Sequence, residues 1–336
     1  MHLNKIFLKN HYNNLNEYKV ICLCCYDIKT VEQSTFDGLE NLKGIDLSYN
    51  SIKTIPNFSG LKNLEIIRLP YNQIEQIYTD NFEGLQNLKI LNLNWNKIFR
   101  INEETFNGLM FLKEISICSN HLSIIHSNTF NGLCKLERLL LESNQIDSIL
   151  PNTFNCLKNL KELDLSFNQI SKIEENTFSN LINLEILCLS YNKLEILNKE
   201  MFNGLDKVNW LRLDSNKINE IKPSTFICLK NLKWLNLDSN KLEQIDSNTF
   251  QGLNNLEKIH LTNNLLKDFF LIDILKITNG VLIEFNKTEN IDLKEMNLLT
   301  KLNEINLDFN LLTEDQMNLV KLFNKKLKKI NENCEM

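Results

Sequence analysis

The sequence predicts a solenoid, a stack of short strand-bearing coils, on three observations. Ten asparagines (Asn50, Asn72, Asn96, Asn120, Asn144, Asn168, Asn192, Asn216, Asn240 and Asn264) recur every 24 residues after a first step of 22. Apolar residues keep one frame on that ruler, as in the run Leu85, Leu88, Leu91, Leu93, Asn96, Ile98, Ile101, Phe106, Leu109. A line of phenylalanines from Phe36 to Phe250 keeps the same period. A unit this short cannot bury its apolar side alone, so the repeat implies stacked neighbours and one continuous array.

The elements follow in order. Residues 1–14 precede the repeat and read as an N-terminal extension. Units start at Leu15, Leu39, Leu61, Leu85, Leu109, Leu133, Leu157, Leu181, Leu205, Leu229 and Leu253, with apolar residues at positions 1, 4, 7, 9, 14 and 17. The first carries Tyr26 in the asparagine slot, as a terminal unit can, and the second is two residues short with Pro56 in its turn. A weaker unit runs from Ile277 through Ile283, Phe285, Leu293 and Met296; a clear last one has Leu299, Leu302, Ile305, Leu307, Asn310 and Leu312. That makes about thirteen units over residues 15–312.

Within a unit, apolar positions 7 and 9 flank polar position 8, the period of a strand with one buried face. A buried Asn at position 12 needs partners for its amide, and the strand ends of neighbouring units supply backbone groups for a ladder. Seven of the nine glycines hold position 24, where the chain turns with positive φ or packs closely; Cys156, Asn180 and Cys228 stand there instead in three units. At the far end Thr313 and Gln316 form a capping box, which predicts a capping helix and tail over 313–336. Met317, Val320, Phe323, Leu327 and Ile330 make one face of it and Lys321, Lys325, Lys326, Lys328 and Lys329 the other. A membrane-surface helix is the competing reading; a cap is preferred because an uncovered solenoid end exposes core.

The frame LxxLxxLxLxxNxLxxLxxxxFxxL resembles the leucine-rich repeat family, in its 24-residue "typical" class, from residue 15 to about residue 322. The resemblance implies an α/β fold: a right-handed horseshoe with a parallel sheet on the concave side and short helical or extended segments on the convex side. It also implies a binding role. Members of this class are mostly extracellular, with cysteine-rich caps. This chain departs from that pattern: no cysteine precedes Cys22, Leu23 stands where the last cysteine of the N-terminal cap would fall, and Cys334 is alone at the other end.

Composition narrows the function. A formal charge of −5 and a pI near 5.7 oppose a nucleic-acid surface. The longest apolar stretch, Leu265 to Ile277, is interrupted by Lys267, Asp268, Asp273 and Lys276 and is too short for a membrane span. The first residues lack an apolar block and cleavage site of a secretory signal. Nine scattered cysteines, most without a match in the adjacent unit, favour thiols over disulfides and a reducing, cytoplasmic setting. The alternative is a secreted protein or receptor ectodomain whose N-terminus is missing.

Catalytic, metal and cofactor sites are not expected. Cys22-Leu23-Cys24-Cys25 lacks four ligands, and Cys118 with His121 lacks an orienting residue and an oxyanion donor. Asn57-Phe58-Ser59 and Asn286-Lys287-Thr288 match the glycosylation sequon, at the frequency chance gives in so asparagine-rich a chain.

Aromatics carry the functional signal. Tyr49, Tyr71 and Trp95 hold position 11 in three successive units, with Arg68 beside them; Phe167 and Tyr191 repeat the pattern. Trp210 and Trp234 hold position 6 in adjacent units, flanked by Arg212, Asp214 and Asp238. The position-11 residues serve equally well as packing over strand ends or as ligand contacts. Exposed tryptophans without a core role point to binding, since hot spots are enriched in Trp, Tyr and Arg. The expectation is a non-catalytic recognition module that binds a protein or peptide on the concave face.

Overall fold

The computed structural model describes residues 1–246, 248–267, 280–282, 286, 304–306, 313–318, 320–322 and 324–325. The chain forms two compact units, Met1–Leu184 and Glu185–Met336. Each is a stack of coils with one three-residue strand per coil, and all pairing is parallel. In the first unit the strands are β1 (Val20–Cys22), β2 (Gly44–Asp46), β3 (Ile66–Arg68), β4 (Ile90–Asn92), β5 (Glu114–Ser116), β6 (Arg138–Leu140) and β7 (Glu162–Asp164). In the second they are β8 (Ile186–Cys188), β9 (Trp210–Arg212), β10 (Trp234–Asn236), β11 (Lys258–His260), β12 (Gly280–Leu282) and β13 (Glu304–Asn306).

The central residue of each described strand side chain points into the core, and Ile45, Ile67, Leu91, Ile115, Leu139, Leu163, Leu187, Leu211 and Leu235 are all buried. Opposite the sheet the chain is short and irregular: 3₁₀ turns at Thr79–Phe82 and Lys199–Phe202, and two-residue strand pairs such as Gln76–Ile77 with Arg100–Ile101. The phenylalanines stack there, with ring centroids 6.0–6.3 Å apart from Phe82 to Phe178 and 5.7–6.0 Å apart from Phe202 to Phe250.

The asparagine ladder forms as expected. Asn96 Oδ1 accepts from Ile74 N–H in the preceding coil (3.0 Å), while its Nδ2 donates to Leu69 O of that coil (2.9 Å) and to Leu93 O of its own (3.0 Å). The residue before each ladder asparagine adopts the left-handed conformation, at φ near 55° for Tyr49, Tyr71, Trp95, Ser119, Ser215 and Ser239 alike. This turn swings the asparagine inward and the preceding side chain outward.

One expectation is corrected. The weaker unit is shifted by two residues: Val281, not Ile283, pairs with Ile259 and Ile305. Asn286 then falls in the ladder slot, accepting from Leu266 N–H (3.1 Å) and donating to Leu261 O (2.9 Å). The sequon asparagine is therefore buried and engaged, which leaves its amide no room for a glycan. Ile283, Phe285, Leu293, Met296 and the residues 307–312 lie outside the described residues.

Each end carries a short helical stretch. Residues 1–14 are more than an extension: helix α1 (Lys5–His11), capped by Asn4 Oδ1 accepting from Phe7 N–H (2.9 Å), buries Leu8, while Leu3 pairs with Val31 and is buried too. At the other end the capping box is made, with Thr313 N–H donating to Gln316 Oε1 (3.0 Å) and Gln316 N–H to Thr313 Oγ1 (3.3 Å). A helical stretch follows over 314–318 and Val320 is buried. Phe323, Leu327, Ile330 and Lys326, Lys328 and Lys329 lie outside the described residues.

Position 24 resolves into two designs. Six of its glycines have φ between 76° and 92°. Where Cys156, Asn180 and Cys228 replace glycine, a left-handed residue stands four positions back, at Asn152, Asn176 and Ser224, as Glu104 also does ahead of Gly108. The new side chain then donates to an asparagine of the preceding coil: Cys156 Sγ to Asn131 Oδ1 (3.6 Å), Asn180 Nδ2 to Asn155 Oδ1 (3.0 Å) and Cys228 Sγ to Asn203 Oδ1 (3.6 Å).

Candidate functional site

The outward side chains of each sheet come from strand positions 6 and 8 and from the turn that follows. In the first unit Tyr49 and Tyr71 stack with centroids 4.4 Å apart, and Tyr71 and Trp95 at 5.4 Å with planes 5° apart. All three are exposed, at 56%, 40% and 54%. Desolvation first, and then Tyr71, hold the Tyr49 hydroxyl above its usual range. Trp95 and Tyr71 border an open trough of about 690 Å³ that continues along Asn96, Asn120, His121 and Ser143. Arg68 is exposed on the sheet face and pairs in register with Asp46 on one side and Asn92 on the other. Phe167 is exposed at the same turn position, φ 53°.

In the second unit Tyr191 is likewise exposed, φ 54°. Trp210 and Trp234 are register partners on β9 and β10, with ring centroids 4.4 Å apart. Trp210 is 45% exposed; Trp234 is half-buried between it and His260, whose ring meets it edge-on at 5.2 Å. The flanking aspartates have internal duties that spacing alone did not reveal. Asp214 is buried and accepts from Ser190 Oγ (2.6 Å) and Arg212 Nε (3.3 Å). Asp238 Oδ1 accepts from Thr262 N–H (2.6 Å), and its Oδ2 lies 3.4 Å from His260 Nδ1. These carboxylates orient Arg212 and His260 beside the tryptophans; Asp214 is no exposed rim.

A charge ladder also lines the first unit. Glu65 bridges Lys43 (2.8 Å) and Lys89 (2.6 Å), and Glu137 bridges Lys113 (3.1 Å) and Lys161 (2.8 Å), all at position 5. Arg138 bridges Glu114 (3.1 Å) and Glu162 (2.7 Å) at position 6. The two lysines hold the Glu65 carboxyl down at about 2. Reading position 5 down successive units (Lys, Glu, Lys, Lys, Glu, Lys) would have shown it.

Cys118 and His121 each have other partners. Cys118 Sγ lies 3.7 Å from Ser116 Oγ, burial pushes its thiol up to about 11, and His121 pairs with Gln145 (3.4 Å). No disulfide links the eight cysteines among the described residues. Cys22 and Cys24, too few for a metal when read along the chain, are joined by Asp46 from the next coil, with all three donor atoms within 4.8 Å of one another.

The leucine-rich repeat family model matches in five overlapping segments, 19–74, 62–112, 111–170, 158–218 and 206–266. The chain belongs to the leucine-rich repeat family. Among solved structures, this leucine-rich repeat chain is similar to one in the TLR13–ssRNA13 complex, at TM-score 0.76 and 26% identity over 93% of this chain and 49% of that one. It is also similar in fold to a chain in the Toll–Spatzle complex of Drosophila (TM-score 0.78, 19% identity, 89% of this chain and 42% of that). A third is a chain of the octameric Latrophilin 3, Unc5D and FLRT2 complex (TM-score 0.71, 22% identity, 85% and 88%). The chain thus spans about half the length of the first two. No curated protein matches it. Among the described residues no helix is long and apolar enough to cross a membrane.

Proposed function

We propose that this chain is a non-catalytic recognition module that binds a protein or peptide on its sheet face, anchored on Trp210 and Trp234. The observation that carries this reading is the tryptophan pair itself. Two large rings stand on the outer face of adjacent strands, one of them 45% exposed, where neither serves the leucine core. Arg212 and His260 beside them are held by buried or half-buried carboxylates, so a partner meets pre-oriented polar groups around an apolar anchor. Tyr49, Tyr71, Trp95 and Arg68 offer a second contact surface in the first unit, and Phe167 and Tyr191 extend the aromatic set.

A neighbour solved with single-stranded RNA raises a nucleic-acid reading, which the chemistry here opposes. The net charge is −5, and the outward lysines and arginine of the ladder are already bound to glutamates. A reducing, cytoplasmic setting is supported by thiols that serve as donors in the coil turns, Cys156 and Cys228. An extracellular receptor setting is the alternative.

The test is binding. A partner isolated by cross-linking is titrated against Trp210→Ala/Trp234→Ala and against the control Lys172→Ala on the opposite side of the coil. The double variant should lose at least ~2 kcal/mol of affinity with its melting temperature unchanged, and the control should lose none. Unchanged binding by the double variant places the site elsewhere.

A further inference from the structure

We propose that Cys22, Cys24 and Asp46 form a binding site for a zinc-class divalent cation on strands β1 and β2. Topology makes the triangle. Cys22 and Asp46 are register partners on adjacent parallel strands, and Cys24 lies in the turn that follows β1, with its sulfur beside that of Cys22. The thiol sulfurs are 3.2 Å apart, and both lie within 4.8 Å of an Asp46 carboxylate oxygen. Tetrahedral zinc with Zn–S of about 2.3 Å needs thiolates about 3.8 Å apart, a small side-chain rotation from this arrangement.

The surroundings fit a cation. Ser48 N–H donates to Asp46 Oδ1 (3.0 Å), and the Ser48 hydroxyl donates to the same oxygen, which fixes the carboxylate. Tyr12 Oη donates to the Cys22 carbonyl (2.7 Å), which anchors the strand beneath the first thiol. Two thiolates and a carboxylate carry −3; a divalent cation leaves −1, and Arg68, the next residue in register with Asp46, supplies the balancing charge. Thiolate donors select zinc, or its cobalt and cadmium analogues, over magnesium and calcium. Binding releases the two thiol protons to solvent, and three protein donors leave one coordination position open. The competing fate of the pair is a disulfide, since the two sulfurs already lie 3.2 Å apart, and the experiment keeps the thiols reduced for that reason.

The experiment uses the full chain, stripped with chelator, kept in a phosphine reductant and titrated with Co²⁺ and then Zn²⁺. One Co²⁺ per chain should bind with an intense thiolate-to-cobalt charge-transfer band in the near ultraviolet, displaced by one equivalent of Zn²⁺. Cys22→Ser and Cys24→Ser should each abolish the band, Asp46→Asn should weaken Zn²⁺ at least tenfold, and Cys134→Ser should change nothing. Circular dichroism of each metal-free variant checks its fold. The proposal is overturned if the reduced parent shows no charge-transfer band. It is equally overturned if Cys24→Ser, folded, binds Zn²⁺ as tightly as the parent, or if the pair isolates as a disulfide and takes up no metal after reduction.

Discussion

Asn168 concentrates the chemistry that holds one coil to the next. Its Oδ1 accepts from Ile146 N–H (3.0 Å), and its Nδ2 donates to Leu141 O and Leu165 O at 3.0 and 3.1 Å, all in buried surroundings. Asn168→Ala leaves those backbone groups without partners, at about 1–3 kcal/mol. Urea denaturation should show that loss, while the exposed Lys158→Ala stays within about 0.5 kcal/mol of the parent; equal midpoints would mean the amide is not needed. Glycine in the coil turn permits a finer comparison. Gly108 and Gly84 both have positive φ, but an added Cβ meets nothing at Gly108 and lies 3.2 Å from Ser59 O at Gly84. Gly108→Ala should cost about 1–2 kcal/mol from backbone conformation alone, and Gly84→Ala should melt at a lower temperature than that. Residues of this kind were legible because each repeats in frame. Asn286 was not, because Ile277, Ile283 and Phe285 offered an apolar frame two residues late, and only strand register decides between them.

At the scale of elements, side chains of successive strands form columns, and a column is invisible to a reading that runs along the chain. The position-5 ladder and the Cys22–Cys24–Asp46 triangle join residues 22 or 24 apart in sequence, so the periodicity that revealed the coils did not reveal them. The tryptophan pair was found because two such rings in one column are conspicuous. Helix α1 was missed for a different reason: seven residues carry too few apolar positions to show a helical period. The ladder predicts a pH response. The Glu65 carboxyl, normally near 4.5, is held at about 2 in the folded chain, so its contribution is complete above about 4.5 and is lost as pH falls towards 2. Between those values the parent should lose more stability than Glu65→Gln does, as read from urea midpoints at each pH. Parallel curves would show that Lys43 and Lys89 contribute no stability through Glu65.

For the whole molecule, a thiol count tests the proposed compartment. Denatured without reductant, the chain should yield close to nine titratable thiols. A count near one would mean four disulfides and an oxidising environment, against the proposed setting. Ladder bonds also have a direction. Each Oδ1 reaches back to an N–H of the coil before it, and the bond from Ile146 to Asn168 spans 22 residues of chain. A ribosome delivers Ile146 first, so the newest coil leaving the exit tunnel always presents a bare amide hydrogen until the following coil has been made. An arrested nascent chain should therefore hold every coil closed but its last, and growth proceeds by a seal that moves one repeat behind synthesis.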